Sequence, residues 1–349
     1  MADLFESLSD ADDAGLYYVN DAGPGISRRR RGKGFSYHHP DGRPVSTATR
    51  AWIESIVIPP AWTDVWICPI PDGHILATGR DARGRKQYRY HERWREVRDS
   101  NKYFRLADFA AALPALRARV EEHLRLRGLP REKVLAAVVR LLDDTLIRVG
   151  NDEYAVSNDS YGLTTLREQH AVVEGSVVRF EFTAKSGQAR EIDLRDRRLA
   201  TIVKACQELP GEELFQYLDD EGQPVDVGSA DVNSYLRELT GAAFTAKDFR
   251  TWGGTVIAAE TLVDLGPAAS EREAEQHIVA AVDAAADRLG NTRAVCRSCY
   301  VHPAIPESHL DGTLAEAWRT SRASASCRRS ERAALKVLRA KATEERAAA

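Results

Sequence analysis

Four short contexts put a cation or a nucleophile beside a residue that punctuates structure. Arg148 lies two residues before Gly150, at the end of an apolar, helix-like stretch. Lys185 sits in Ala-Lys-Ser-Gly, where a hairpin turn is expected. Arg250 falls within Lys-Asp-Phe-Arg-Thr-Trp-Gly-Gly, on an apolar background. Tyr300 follows Asn-Thr-Arg-Ala-Val-Cys-Arg-Ser-Cys and precedes Val-His-Pro. Guanidinium suits bidentate contact with phosphate, but each context also has an ordinary reading. An Arg at a helix end complements the dipole, a turn Lys is solvated, Arg250 can pair with Asp248, and a Tyr can be plain core. No P-loop, GxGxxG, HExxH or Gly-x-Ser-x-Gly is present. The CxxC at Cys296 and Cys299 has no second pair at zinc spacing, so two packing cysteines are the simpler reading. His38-His39 reads as polar residues at a sheet edge.

The elements that must position these residues fall into two groups. Residues 1–20 are acidic and polar and read as a disordered tail. DAGPGISRRRRGKG (21–34) reads as an exposed, highly charged loop, either solvated or touching phosphate. Short β-rich stretches follow, split by turn residues: FSYHH before PDGRP, Ser55–Ile58 before Pro59-Pro60, VWICPI, HILATG, and an alternating KQYRY. They predict a small antiparallel sheet domain over residues 21–101. The remainder, 102–349, is mainly helical. Pro114 is expected to break or kink the first helix, and Pro130 to open the next, which runs to Gly150-Asn151 with Leu135, Val138, Val139, Leu142, Leu146 and Val149 on one stripe. Between helices, Val178, Phe180 and Phe182 alternate with Arg179, Glu181 and Thr183, and Ser186-Gly187 is the expected hairpin turn. The fold class is therefore α+β with two lobes.

Composition bounds the function. A chain of 349 residues predicts two domains. With 43% hydrophobic and 29% charged residues it reads as a soluble globular protein, and no run of 18 apolar residues offers a membrane span. The acidic N-terminus lacks the pattern of a signal peptide, and five cysteines are too few for a disulfide scaffold, so a cytoplasmic location is expected. The formal net charge of −3 hides an asymmetry: residues 28–103 carry 16 Lys/Arg against eight acids, while 207–238 carry nine acids and one base. A basic N-terminal third would attract a polyanion, with salt-sensitive strength. Arginine outnumbers lysine 40 to nine, which fits phosphate contacts and a GC-rich genome equally well.

Taken in order, RVGNDEYA, YGLTTL, FTAKSG, KDFRTWGG and LGNTRAVCRSCYVHP resemble the catalytic framework of type IB DNA topoisomerases, in the short poxvirus-like form found in bacteria. GRDARGRKQYRYH resembles that family's DNA-clamping domain, and the likeness runs from about residue 25 to 325. The resemblance implies a β-rich lobe and a helical catalytic lobe that close as a C-shaped clamp around double-stranded DNA, acting as a monomer without membrane attachment.

It further implies that Tyr300 attacks the scissile phosphodiester and stays joined to the 3′-phosphate. A free phenol titrates near ~10, so cationic surroundings would help it lose its proton. Arg148 and Arg250 match the two arginines that grip the non-bridging oxygens. Lys185 matches the general acid for the departing 5′-oxygen. Asn291 stands where many relatives carry His. An amide keeps a donor but cannot exchange a proton, so the implied role is hydrogen bonding; Asn291 or Thr292 capping the Tyr-bearing helix is the alternative. The resemblance calls for no metal, ATP or other cofactor. Gln87, Tyr88 and Tyr90 match groove-reading positions, although both tyrosines could instead be sheet core; Arg85 and Lys86 match phosphate contacts, and Tyr154 a further DNA contact. The rival readings are a tyrosine recombinase and a catalytically silent DNA-binding protein. Against the first, Lys247 stands three residues before Arg250, where recombinases usually show His.

Overall fold

Local patterning accounts for most of the elements in a computed structural model that describes residues 11–150, 155 and 159–348. The chain divides into two compact units, Met1–Tyr103 and Phe104–Ala349. The first is built on a five-stranded antiparallel sheet in the order β2-β1-β3-β4-β5. Its strands are β1 (Ile26–Arg31), β2 (Gly34–His38), β3 (Thr63–Ile67), β4 (Ile75–Arg80) and β5 (Lys86–Tyr90). One helix, α1 (Thr47–Ser55), lies between β2 and β3, capped by the Ser46 hydroxyl accepting from the Thr49 amide at 3.1 Å. Ile26, Ile53, Val65, Ile67 and Ala77 form the core beneath the sheet.

Three expectations for this unit are corrected. The basic run after Ile26 is not a loop. Arg28 to Arg31 are strand β1, paired with Tyr37 to Gly34 of β2 around a tight turn with Gly32 at φ +57. Backbone pairing and the buried Ile26 hold a segment whose side chains carry no strand signature. Ser55–Ile58 is not a strand: α1 ends at Ser55, and Ile56 and Ile58 pack on the core from an irregular segment. Such a short apolar run does not distinguish a strand from a helix end. Residues 11–20 are not disordered. Ala11, Ala14 and Leu16 are buried with Trp94, Tyr18 stacks on His74 at 4.3 Å, and the Val19 amide donates to His74 Nδ1 at 3.0 Å.

The longest helix among the described residues, α2 (Glu92–His123), continues past Pro114 without a break. Leu106, Phe109, Ala110 and Leu113 before the proline, and Leu116 and Val120 after it, enter the same core. That burial outweighs the roughly 3 kcal/mol penalty of an interior proline. Helix α3 (Arg131–Thr145) begins after Pro130 as expected but stops earlier than its apolar stripe suggests. Leu146 is left-handed at φ 57, and its amide closes on the Leu142 carbonyl at 3.0 Å. The following 147–150 segment is irregular, and Arg148 stands on it rather than on a helix end.

A three-stranded antiparallel sheet follows, β6 (Ala171–Glu174), β7 (Val177–Ala184) and β8 (Gln188–Arg195), in that order. Val178, Phe180 and Phe182 face the core as the alternation predicts. Then come α4 (Arg197–Gln207), a two-stranded ribbon of β9 (Gln216–Leu218) and β10 (Pro224–Asp226), α5 (Ser229–Thr240), α6 (Ala246–Leu265) and α7 (Glu271–Leu289). The chain continues through α8 (Arg293–Cys299), α9 (Ala304–Leu310), α10 (Thr313–Arg319) and α11 (Arg329–Ala348). Helix α6 is buried on every side from Phe249 to Val256, as expected of a helix apolar all round. This is the α+β architecture that the sequence implies. No helix among the described residues is long and apolar enough to cross a membrane.

Candidate active site

Arg148, Lys185, Arg250 and Tyr300 line one cleft of about 360 Å³, although they come from four separate elements. Ser160, Tyr161, Gly162 and Lys247 share its walls. Asn291 meets the same group by accepting a hydrogen bond from Arg148 at its Oδ1. All five residues that the sequence singles out are therefore brought together.

Each side chain is held by a specific close approach. The irregular 147–150 segment is strapped to residues 162–164: the Leu163 amide donates to the Arg148 carbonyl at 2.9 Å, and Thr164 to Val149 at 2.6 Å. A Cβ on Gly162 would stand 2.6 Å from both the Arg148 carbonyl oxygen and Gly150 Cα, so only glycine permits the strap. Gly150 itself adopts φ +119. Lys185 opens the three-residue loop Lys185–Gly187 that joins β7 to β8, with Ala184 paired to Gln188 and Gly187 left-handed at φ +74. Arg250 projects from α6, whose Gly253-Gly254 pair lets the helix close in. A Cβ on Gly253 would meet the Leu146 side chain at 2.5 Å, and one on Gly254 would meet the Tyr300 carbonyl oxygen at 2.7 Å. Tyr300 ends the short helix α8, its amide bonded to the Cys296 carbonyl at 2.9 Å. Thr255 bonds both to the Tyr300 carbonyl at 3.3 Å and to the His302 amide at 3.1 Å, tying that turn to α6.

The electrostatics are unusual for a folded interior. Arg250 is only 4% exposed, yet among the described residues neither it nor Arg148 has a carboxylate within ion-pairing distance. Arg250 instead donates to the carbonyls of Leu146 and of Leu289, the latter at 2.8 Å, and its Nε is buried without a partner. Asp248, the acid nearest in sequence, is taken up at the start of α6, accepting from the Thr245 amide at 2.7 Å. Burial first, and then the neighbouring Arg148, push the Arg250 guanidinium down to about 10; Tyr300 opposes the shift by charge and hydrogen bonding. Burial also lowers Arg148, again opposed by Tyr300. The Arg250 guanidinium lies 5.2 Å from the centre of the Tyr300 ring. Two desolvated cations without a counter-ion are costly unless an anion joins them, and such perturbed groups in a cleft mark functional sites.

Thr292, not Asn291, caps the Tyr-bearing helix, its hydroxyl accepting from the Val295 amide at 3.4 Å. The Asn291 Nδ2 is buried with no partner among the described residues, a donor on a side chain whose Oδ1 is held by Arg148. Cys296 is a core residue whose thiol burial pushes up to about 11.

The expected DNA contacts of the first unit lie on or beside β5. Tyr88 and Tyr90 share a face, their rings stacked 5.7 Å apart, and Tyr88 is 40% exposed, which argues against its being core. Arg85 pairs with Asp81 at 2.7 Å, and Gln87 donates to the same carboxylate at 3.1 Å. Lys86 pairs with Asp21 at 2.7 Å. Tyr154 lies outside the described residues.

Comparison with known proteins decides between the rival readings. The family model described as eukaryotic DNA topoisomerase I, catalytic core, matches residues 91–325, and that described as bacterial DNA topoisomerase IB, N-terminal domain, matches residues 34–81. The chain belongs to the type IB DNA topoisomerase family. DNA topoisomerase 1B of Acanthamoeba polyphaga mimivirus is 32% identical over 285 residues, covering 79% of this chain and 85% of that protein. This chain is thus a type I DNA topoisomerase, and the recombinase reading is set aside. All the residues of the cleft named above fall within the segment matched to the type I catalytic core. Sequence reasoning placed Tyr161 in the YGLTTL motif of the resemblance but gave it no role of its own; the structure sets it in the cleft wall.

Proposed function

We propose that this topoisomerase relaxes supercoiled duplex DNA by transient cleavage of one strand through a 3′-phosphotyrosyl intermediate on Tyr300, followed by religation, without ATP or metal. It does so as a cytoplasmic, nucleoid-associated monomer. The observation that carries the reading is that buried Arg250 and half-buried Arg148 share a cleft with Tyr300 and, among the described residues, pair with no carboxylate.

In this scheme the scissile phosphate supplies the missing anion. Arg148 and Arg250 grip its non-bridging oxygens, where charge grows in the pentavalent transition state. The Asn291 Nδ2 donates a further hydrogen bond. The Tyr300 phenol gives up its proton to solvent and its oxygen forms a bond to phosphorus as the bond to the 5′-oxygen breaks, and the 5′-oxygen takes its proton from the Lys185 ammonium. A positioned acid of this kind contributes ~10²–10⁴ in rate. The phosphodiester bond is exchanged rather than hydrolysed, so the free 5′-hydroxyl can reverse the reaction after the strand has rotated. Arg85, Lys86, Gln87, Tyr88, Tyr90 and Tyr154 bind the duplex outside the cleavage site.

The test is a plasmid relaxation assay in EDTA without nucleotide, run on the wild type and on Tyr300→Phe. Wild type relaxes the plasmid and traps a covalent adduct at position 300 on a suicide substrate; the variant does neither. A strict Mg²⁺ requirement for strand transfer, or an adduct that persists in Tyr300→Phe, rejects the scheme.

A further inference from the structure

The C-terminal end of helix α7 receives arginines from three other elements. Arg190 on β8 donates to the carbonyls of Asp287, at 3.3 Å, and Arg288, at 2.9 Å. Arg250 on α6 donates to Leu289 at 2.8 Å, and Arg148 to Gly290 at 3.4 Å as well as to Asn291. Four consecutive carbonyls, 287 to 290, thus each accept from a guanidinium. A helix C-terminus presents unpaired carbonyls and partial negative charge, so it is a natural anchor for cations. Arg148 and Arg250 are accounted for by the phosphate chemistry. Arg190 is not.

Its position in the hairpin gives it a task. Toward the loop, β7 is fixed by the buried Phe182 and Ala184, but on β8 Ile192 is the only buried residue. Gln188, Ala189 and Glu191 are exposed, and Arg190 is the half-buried side chain nearest the loop on that strand. Gln188 and Arg190 share a face of β8, and both approach the turn after α7. A Cβ on Gly290 would stand 3.0 Å from Gln188 Oε1 and 3.1 Å from Arg190 Nη1. Lys185 is separated from Gln188 by two residues of a tight loop. Whatever fixes β8 against the α7 end therefore also fixes the distance from Lys185 to the Arg148–Asn291 pair. The three guanidiniums crowd one another: burial first, then Arg288 and Arg148, lower that of Arg190.

We propose that Arg190 is a positioning residue for strand cleavage, a latch that holds the Lys185 hairpin against the C-terminal end of α7 and so sets Lys185 beside the leaving 5′-oxygen. The inference rests on the reading of Lys185 as general acid. The latch predicts a loss concentrated on the step that needs the acid, because among the described residues Arg190 hydrogen-bonds the carbonyls of Asp287 and Arg288 and not Tyr300, Arg148 or Arg250.

The experiment compares single-turnover cleavage of two suicide duplexes by the full-length enzyme. One carries the ordinary phosphodiester; the other has a bridging sulfur in place of the 5′-oxygen, and a 5′-thiolate leaves without needing a proton. Arg190→Ala is expected to slow cleavage of the oxygen substrate by ~10- to 100-fold, as a displacement of about an ångström does, and to cleave the sulfur substrate within about threefold of wild type. Arg190→Lys keeps a cation that cannot serve two carbonyls in the same planar geometry; it is expected to lie between, with the same substrate dependence, and guards against a folding defect in the alanine variant. Lys185→Ala should show the same rescue, and Arg250→Ala should lose activity on both substrates. An equal loss on both substrates for both Arg190 variants, or no loss on either, overturns the latch while Lys185→Ala is rescued. Absence of rescue in Lys185→Ala overturns the general-acid reading itself, and the latch with it.

Discussion

Arg148 donates to Oδ1 of Asn291, and among the described residues Asn291 Nδ2 is buried without an acceptor. The amide is thus oriented by a cation, with its donor end spare. A histidine at this position would also present a ring N–H, whereas an aspartate would present only acceptors. Asn291→His is expected to cleave a suicide duplex within about tenfold of wild type. Asn291→Ala and Asn291→Asp should fall by ~10²–10³, the range for losing one preorganised transition-state donor. Single-turnover cleavage rates check this, and an Asn291→His as inactive as Tyr300→Phe rejects the hydrogen-bonding role.

The two glycines of α6 should respond differently to a methyl group. At Gly253 the new Cβ meets the ends of the Leu146 side chain, which can move. At Gly254 it meets the Tyr300 backbone, 2.7 Å from the carbonyl oxygen. Gly254→Ala is expected to slow cleavage by ~10²-fold through displacement of Tyr300, and Gly253→Ala to affect rate much less while lowering the thermal midpoint. Cleavage rates and melting curves of the two variants, measured side by side, test the contrast; equal rates would contradict it.

Lys86 is held by Asp21, which also accepts from Thr78 at 2.8 Å. Burial would raise the Asp21 carboxyl, but hydrogen bonds from Lys86 and Thr78 hold it below its ordinary value. If Lys86 contacts the duplex as proposed, binding exchanges this carboxylate for a phosphate. Lys86→Ala is therefore expected to weaken binding to all sequences alike and to flatten the salt dependence by about one unit of slope. Asp21→Asn should instead tighten binding at low salt. Fluorescence titrations of a short duplex over a salt series read both.

Far from the cleft, Arg117 bridges Asp143 at 2.7 Å and Glu331 at 2.6 Å, joining α2, α3 and α11. Glu331 is 1% exposed; burial alone would raise its carboxyl, but Arg117 holds it down to about 2. A carboxylate depressed on folding stabilises the protein above its unfolded value of 4.5, and that contribution is lost as pH falls from there through about 2. Glu331→Ala, which strands Arg117 beside one acid, is expected to destabilise the second unit by about 3 kcal/mol. Glu331→Gln should also flatten the acid limb of the thermal midpoint against pH. An unchanged acid limb would show that the pair does not govern acid unfolding.

Elements whose periodicity matched their environment were legible beforehand. Strands β2 to β5, the alternation in β7, the turn before Gln188 and the start of α3 after Pro130 all follow from residue types that act within a few positions. Where chain partners far away decided the outcome, local reading failed. Arg28 to Arg31 are a strand because β2 and β3 pair with β1, not because arginines favour strands. The apolar stripe through Leu146 and Val149 points to a helix reaching Gly150, but hydrogen bonds to residues 163 and 164 draw that segment into a non-helical strap. Pro114 signals a break that burial on both sides overrides. The motifs around Arg148, Lys185, Arg250, Asn291 and Tyr300 singled out residues that meet at one cleft, because their chemistry is intrinsic to the side chains and their order is distinctive. Their convergence is another matter. It depends on Gly162, Gly253 and Gly254 admitting backbone at distances no Cβ would allow, and on the end of α7 gathering guanidiniums from three elements. Arg190, one arginine among 40, carries no local mark at all. Only packing sets it on the carbonyls it holds, because proximity between residues a hundred positions apart is a property of the folded chain.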